Sequence, residues 1–339
     1  MKEALYKITE NCPGDCLFCN AREKYEKIFK NSTIGLNDWK KISDDLIANG
    51  LEIAIISGGE ALIEKETTLE LIDYLKKKGI YVVLNTSGVL FHNNNLLDLL
   101  KVNYPDLLVF SIDSAYKDRH DYNRNLPGLF EKIVKSIKYL KKSGDYPIAI
   151  RTVITKNNFK ELPKIIRDFN RLGVDCIKLT NIENDDEGKF RLNKEELIQF
   201  DNEIRSLMID ELKNCNFENE DMRKDAIHKV QSILSSERKS FDDLAEGIFE
   251  PRLIKNAKCP LIERFVTIQS NGIVLPCCES EHHYEPILGN ILDKPFSEIL
   301  VSEAYKELLI NRPEYCVKCT EWENIQINFT DTAKKVNHR

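Results

Sequence analysis

Six short apolar runs separated by helix-patterned segments fill the first half of this 339-residue chain, and that alternation narrows the fold more than any other feature. The runs are ALYKIT (4–9), EIAIIS (52–57), YVVLNT (81–86), LLVFSID (107–113), IAIRTVI (148–154) and CIKLTNI (176–182). Strands covered on both faces read this way, as brief apolar stretches without strict alternation. Between them, LNDWKKISDDLIANG and FEKIVKSIKYLKKSG repeat apolar residues at helical spacing, and the second ends on a glycine suited to a C-cap. Strand–helix alternation implies a parallel sheet with right-handed crossovers. The count stops at six, so the expectation is an α/β fold on a partial (β/α)6 TIM-like barrel, not a closed eight-stranded one.

Past residue 183 the strand signal disappears, and NDDEGKFRLNKEELIQF opens a charged, helix-rich stretch. RFVTIQSNGIVLPCC then predicts two strands joined at Ser270–Asn271–Gly272, and PFSEILVSEAYKELLINR predicts one amphipathic helix started by Pro295. The domains therefore read as a barrel over 1–185, a helical connecting region over 186–255, and a small hairpin-and-helix module over 256–339.

Apolar residues make up 42% of the chain, enough for a real core, and the net charge of −6 is spread without a Lys/Arg block. Neither nucleic acid nor an anionic membrane is expected as a partner. The opening MKEALYKITE lacks a signal-peptide core, and no apolar run approaches a membrane span, so a cytoplasmic protein is expected. That compartment keeps thiols reduced, which argues against reading the ten cysteines as a disulfide framework. Seven fall into two groups: Cys12, Cys16 and Cys19, and Cys259, Cys277, Cys316 and Cys319. Cys278 sits beside the second group; Cys176 and Cys215 stand alone, as small apolar residues do. Clustering at two ends suggests two metal centres.

The first group lies in ENCPGDCLFCN, directly after the first strand, where barrel loops carry chemistry. A structural zinc site wants four ligands. Three thiolates hold three irons of a [4Fe–4S] cluster and leave the fourth iron open to a chelating molecule, such as an amino acid binding through its amino and carboxylate groups. Cys12-Pro-Gly-Asp-Cys16-Leu-Phe-Cys19 resembles the CxxxCxφC motif of the radical S-adenosylmethionine (SAM) superfamily, with Phe18 at the aromatic position. The resemblance implies that a reduced cluster passes an electron to the SAM sulfonium and that the resulting 5′-deoxyadenosyl radical takes a hydrogen atom from substrate. It further implies a flavodoxin- or ferredoxin-type reductant.

Other residues resemble the family where the barrel needs them. Ser57-Gly58-Gly59-Glu60 follows the second strand like the GGE motif that meets the SAM amino group; the glycines are expected to let backbone approach the ligand, and Glu60 to accept from an ammonium. Thr86 follows the third strand in TSG, where relatives often have Thr-Asn-Gly; Ser87 departs from that pattern. Ser111 and Asp113 end the fourth strand in SIDS, implying contact with the SAM carboxylate and with ribose or substrate. Arg124 resembles the arginine that pairs with the carboxylate, and Arg119 is the nearby alternative. By alternation alone, Arg151 in the fifth strand is expected to point into the barrel, to hold substrate or SAM, with a structural ion pair as the other reading; Lys178 in the sixth invites the same argument.

Four cysteines with a hairpin between the first two and a helix before the last pair satisfy either a tetrahedral zinc or a complete cluster. The segment resembles the auxiliary-cluster modules called SPASM and Twitch, notably from Gly272 through Pro276-Cys277-Cys278 to Gly289-Asn290. No cysteine follows Cys319, so the one-cluster Twitch form is expected, with a closed [4Fe–4S] cluster that moves electrons. Cys278 is a spare ligand, a hydrogen-atom donor or a buried bystander. Because the motif begins at residue 12, no leader-gripping domain is expected ahead of it. The expected substrate is thus a small polar molecule, a sugar or cyclitol oxidised at a hydroxyl-bearing carbon with the auxiliary cluster as electron acceptor. Radical epimerisation and peptide or protein side-chain modification are the alternatives, and an iron–sulfur electron carrier is the alternative from a different class.

Overall fold

Each of the six apolar runs forms a strand: β1 (Glu3–Lys7), β2 (Ile53–Ser57), β3 (Tyr81–Thr86), β4 (Leu107–Ser111), β5 (Ile148–Ile154) and β6 (Cys176–Asn181). The computed structural model describes residues 1–19, 34–92, 94–182, 185, 187–217, 219–236, 239–249 and 259–319, apart from the side chains at 260, 279, 281 and 282. Helices α1 (Leu36–Ala48), α2 (Lys65–Lys77), α3 (Asn94–Val102), α4 (Lys117–Arg124), α5 (Leu129–Ser143) and α6 (Leu162–Arg171) fall between the strands. The architecture is α/β, with parallel strands alternating with helices as in a partial (β/α)6 barrel. Among the described residues, no helix is long and apolar enough to cross a membrane.

The chain divides into two compact units that do not follow the sequential boundaries at 185 and 255. One contains Met1–Asp15, Cys19–Val109 and Asn256–Glu314; the other contains Cys16–Phe18, Phe110–Lys255 and Tyr315–Arg339. The reason lies in strand pairing. Strand β7 (Phe265–Ile268) runs parallel to β1 in the register Glu3↔Phe265 to Tyr6↔Ile268, so the C-terminal segment continues the sheet begun by the N-terminus. The first unit thus holds the strand run β3-β2-β1-β7-β8-β9, where β8 is Ile273–Leu275 and β9 is Gly289–Asn290. The expected hairpin is present, with Gly272 at φ 85° in its turn, a conformation that favours glycine.

Alternation separates the two faces of this sheet. Ala4 and Tyr6 of β1 and Ile8 just beyond it are fully buried, and the Tyr6 ring lies 5.4 Å from Trp39 of α1. That row is the helix-covered face. Helix α1 buries Trp39, Ile42, Ser43 and Leu46, which share one face at helical spacing. On the opposite face of β1 stand Glu3, Leu5 and Lys7, and the β2 register aligns them with Ile53, Ile55 and Ser57. Arg264 donates to Glu3 at 2.6 Å, tying β1 to the residue ahead of β7.

In the second unit, β5 and β6 pair in parallel from Ala149↔Cys176 to Ile154↔Asn181. The connecting region carries α7 (Lys194–Gln199), a π-helical turn at Phe200–Ile204, α8 (Arg205–Lys213), α9 (Glu220–Ser232) and α10 (Phe241–Ala245), with no strand among the described residues. Asn193 and Glu196 close a reciprocal capping box that starts α7. The remaining helices are α11 (Pro260–Arg264), α12 (Cys278–His283), α13 (Phe296–Ile299) and α14 (Glu303–Ile310). The single helix expected from Pro295 onward is therefore two. Ser302 interrupts it, its side chain capping a new start by accepting from the Tyr305 amide.

Candidate functional site

The stem of the cysteine loop and the Gly-Gly-Glu turn are fused through their backbones. Ile8 donates to Ser57 O at 3.0 Å, Gly59 to Thr9 O at 2.7 Å and Glu60 to Asn11 O at 2.8 Å. A Cβ on Gly58, whose φ is 148°, would come within 2.4 Å of Thr9 O, and one on Gly59 within 2.4 Å of Asn11 O. The sequence reading gave this space to an approaching ligand; the structure fills it with the stem that leads into Cys12. Gly59→Ala is therefore expected to cost about 1–3 kcal/mol by overpacking. Thermal unfolding of the holoenzyme should show a lower Tm together with less bound iron per chain. Gly35→Ala, where nothing lies within 4 Å of the new methyl, should change neither.

Glu60 is fully buried, and its carboxylate is turned toward the end of β3. Thr86 Oγ1 donates to it at 2.9 and 3.0 Å, the Ser87 amide at 2.8 Å, Ser87 Oγ at 2.6 Å and the Leu62 amide at 3.3 Å. Burial raises this carboxyl above the usual carboxylate range, against the bonds from Ser87, Thr86 and Leu62, which lower it. The structure thus joins Glu60 to Thr86 and also to Ser87, which the sequence reading set aside. The signal was available: a hydroxyl beside a threonine at the C-terminal end of a strand.

The second unit gathers Cys16, Phe18, Asp113 and Arg124. Arg124 closes α4, which ends at Asn125 in the left-handed region, φ 50°. Its Nε donates to Asp113, its Nη1 lies 3.7 Å from Cys16 Sγ, and its guanidinium stands 5.5 Å from the centre of the Phe18 ring. The Leu17 amide donates to Asn123 O at 2.9 Å, so the loop is also held by the helix backbone. Burial works against the Arg124 charge, but the Asp113 carboxylate and the Cys16 sulfur outweigh it and hold the guanidinium above its ordinary pKa. Asp113 is 0% exposed, yet its Oδ1 has no hydrogen-bond partner.

Asp113 is itself braced. Its amide donates to His120 Nδ1 at 3.2 Å, and Asn158 Nδ2 donates to its carbonyl at 2.9 Å. Burial lowers the His120 pKa to about 4, partly offset by Asp113, so the ring is neutral at pH 7 and free to accept that bond. Arg119 pairs instead with Glu161, which also accepts from Ser114 and the Ala115 amide. Arg124, and not Arg119, is thus the arginine that meets Asp113. Ser111 is half-buried at the end of β4.

On β5, Ile148, Ile150, Thr152 and Ile154 are fully buried, whereas Arg151 and Val153 on the other face are only partly covered. Arg151 has no ion-pair partner among the described residues, and its Nε is buried without a hydrogen bond. Its register partner on β6 is Lys178.

In the C-terminal segment, Cys259 and Cys277 are the N-caps of α11 and α12. Cys277 Sγ accepts from the Ser280 amide at 3.4 Å, and Thr267 Oγ1 donates to the Cys277 carbonyl at 3.2 Å. Burial pushes the Cys259 thiol up, opposed by bonds from the Leu261 and Ile262 amides. Cys278 begins α12, half-buried. In the second unit, the Cys319 amide donates to Cys316 O at 3.2 Å; Cys319 is buried and Cys316 half-buried. Among the described residues, no three His, Cys, Asp or Glu side chains gather at the distance that holds one metal ion.

The donors present suit an iron–sulfur centre. Three thiols share one loop: Cys12, which accepts from the Gly14 amide at 3.4 Å, Cys16, 3.7 Å from the Arg124 guanidinium, and the exposed Cys19. Asp113 Oδ1 remains a buried acceptor with no hydrogen-bond partner.

Comparison with known proteins agrees. The profile described as Radical SAM superfamily matches residues 6–179, and the profile of SPASM, an iron-sulfur cluster-binding domain, matches residues 259–320. An AdoMet-dependent heme synthase of Methanosarcina barkeri is 30% identical over 168 residues, covering 50% of this chain and 47% of that one. The subtilosin biosynthesis protein AlbA of Bacillus subtilis is 29% identical over 169 residues, covering 49% and 37%. A PqqA peptide cyclase of Bradyrhizobium diazoefficiens is 26% identical over 181 residues, covering 53% and 46%. The chain thus spans about half, or less, of the length of these curated relatives. Among solved structures, Streptococcus suis SuiB bound to precursor peptide SuiA superposes with a TM-score of 0.66 at 16% identity, covering 95% of this chain and 70% of that one. Native anSMEcpe with bound AdoMet and the Cp18Cys peptide gives 0.65 at 19% identity, covering 95% and 86%. These two likenesses establish the fold. The cofactors are SAM and a [4Fe–4S] cluster, with auxiliary iron–sulfur in the C-terminal segment. Motif, fold and profile converge, and this chain belongs to the radical SAM superfamily.

Proposed function

We propose that this chain removes a hydrogen atom from a peptide or protein side chain, with SAM as cosubstrate. When bound, the reduced cluster and SAM supply the hydrogen-abstracting oxidant. In this reading Cys12, Cys16 and Cys19 ligate that cluster, and Cys259, Cys277, Cys316 and Cys319 ligate the auxiliary one. Arg124 and Asp113 hold the cosubstrate's polar groups, with Ser111 beside them. Gly58, Gly59, Glu60 and Thr86 also belong to the cosubstrate-binding set, and Phe18 packs on the Arg124 guanidinium. Arg151 binds an anionic group inside the barrel, and Cys278 lies at the auxiliary centre.

The observation that carries the cosubstrate site is the Arg124 bridge. One guanidinium contacts both a loop cysteine 108 residues earlier and the carboxylate at the end of the fourth strand. The substrate class rests on the relatives: AlbA belongs to bacteriocin biosynthesis, and the PqqA enzyme is a peptide cyclase. A sugar or cyclitol, expected from the sequence, finds no counterpart among them, and oxidation as the net outcome stays part of the proposal.

The reduced, anaerobic holoenzyme is expected to split SAM into methionine and 5′-deoxyadenosine, faster with a mixed peptide pool than with a mixture of sugars and cyclitols. Mass spectrometry should find a peptide changed in mass. Intact SAM overturns the enzymatic reading; stimulation by the sugars alone overturns the peptide reading.

A further inference from the structure

We infer that Gln269 is a substrate-positioning residue that reads an amide group of the substrate from inside the barrel. The inference rests on the peptide reading above.

Gln269 follows the last residue of β7 and is 0% exposed. Both its Nε2 and its Oε1 lack a hydrogen-bond partner, and no other described side chain has two such atoms. Its backbone is fixed: the amide donates to Ile273 O at 2.9 Å, and the carbonyl accepts from Gly272 at 2.9 Å. A carboxamide has two donors and an acceptor, and native interiors seldom leave them bare. The side chain is thus held in place with its polar atoms unused.

The direction it faces follows from register. Ile268 aligns with Tyr6, which packs against Trp39 of α1, so Ile268 belongs to the helix-covered row. The next residue points the other way, to the face shared by Thr267 and Leu5. One step along the same register lies Lys7, buried, and across from it Ser57, half-buried. Polar side chains therefore succeed one another at the C-terminal ends of β7, β1 and β2, on the face turned away from α1. The cysteine loop leaves from this same end, and Ser270 Oγ donates to Glu10 in its stem at 3.2 Å.

The chemistry names the ligand. An amide that donates and accepts side by side matches a peptide group, which offers a carbonyl and an N–H together. Hydroxyls satisfy it less completely, since they fix neither direction.

The test uses the reconstituted holoenzyme, Gln269→Met and two probes: N-acetylalanine N-methylamide and myo-inositol, each at about 10 mM. Wild type should bind the diamide, and Gln269→Met should bind it about tenfold more weakly by saturation-transfer NMR. Its Tm should hold or rise, because an apolar isostere relieves the unpaired amide. Gln269→Asn, with the amide on a shorter stem, should fall between the two. A Tm lower by more than about 4 °C, or failure to fold, would mean that the amide has structural partners and overturns the inference. So would equal diamide binding by both proteins, binding of neither probe by wild type, or an equal loss of SAM affinity. Inositol binding that is lost in Gln269→Met, without diamide binding, keeps Gln269 as a substrate contact and overturns the peptide reading alone.

Discussion

Converting Cys12, Cys16 and Cys19 together to alanine is expected to lower bound iron from about eight to about four per chain and to abolish SAM cleavage. The numbers assume a four-iron cluster at each cysteine group. The second group has a local scaffold of its own, since Cys259 and Cys277 cap α11 and α12. Losing the first should leave the second loaded. Anaerobic iron and sulfide analysis gives the count, and chromatography of methionine and 5′-deoxyadenosine gives the activity. Eight irons retained in the triple variant would refute the ligand assignment. Loss of all eight would mean that the loop is needed to fold the C-terminal segment.

Arg124→Leu should be the most damaging single change in the second unit. Asp113 is 0% exposed and Arg124 only 12%, so removing the cation strands a buried carboxylate, at a cost of about 3–5 kcal/mol. It also takes the positive charge from beside Cys16 and the cation from the face of Phe18. Denaturant unfolding should show the loss, and SAM affinity should fall by about tenfold or more. Pairing Arg124→Leu with Asp113→Asn should recover part of the stability and none of the affinity. Arg124→Lys keeps the charge but not the planar fork, so it should fold better than the leucine variant and still bind SAM poorly. Unchanged SAM binding in Arg124→Leu would remove this residue from the site.

The strands were legible because buried parallel strands are apolar whatever their neighbours, and the cysteine loop because its spacing is local. Three things were not. The space over Gly58 and Gly59 is filled by Thr9 and Asn11, which sit some fifty residues earlier, and no local pattern records that approach. Arg119 and Arg124 share α4, five residues apart, which sends them off the helix about 140° from each other. Only the tertiary structure says which direction meets Asp113. Gln269 was passed over because glutamine one step before a turn reads as surface; its burial follows from the parallel seating of β7 on β1. The break at Ser302 shows the converse, a cap overriding a continuous amphipathic pattern.

That parallel seating has a cost for anyone who divides the molecule. A fragment stopping before β7 would strip one flank of β1, leaving Ala4, Leu5 and Tyr6 with a bare row of amides and carbonyls beside an apolar surface. Such a flank invites other chains to zip onto it, so the fragment would tend toward aggregates rather than a smaller working enzyme. The last quarter of the chain is in this sense a guard on the first strand as well as a home for cysteines.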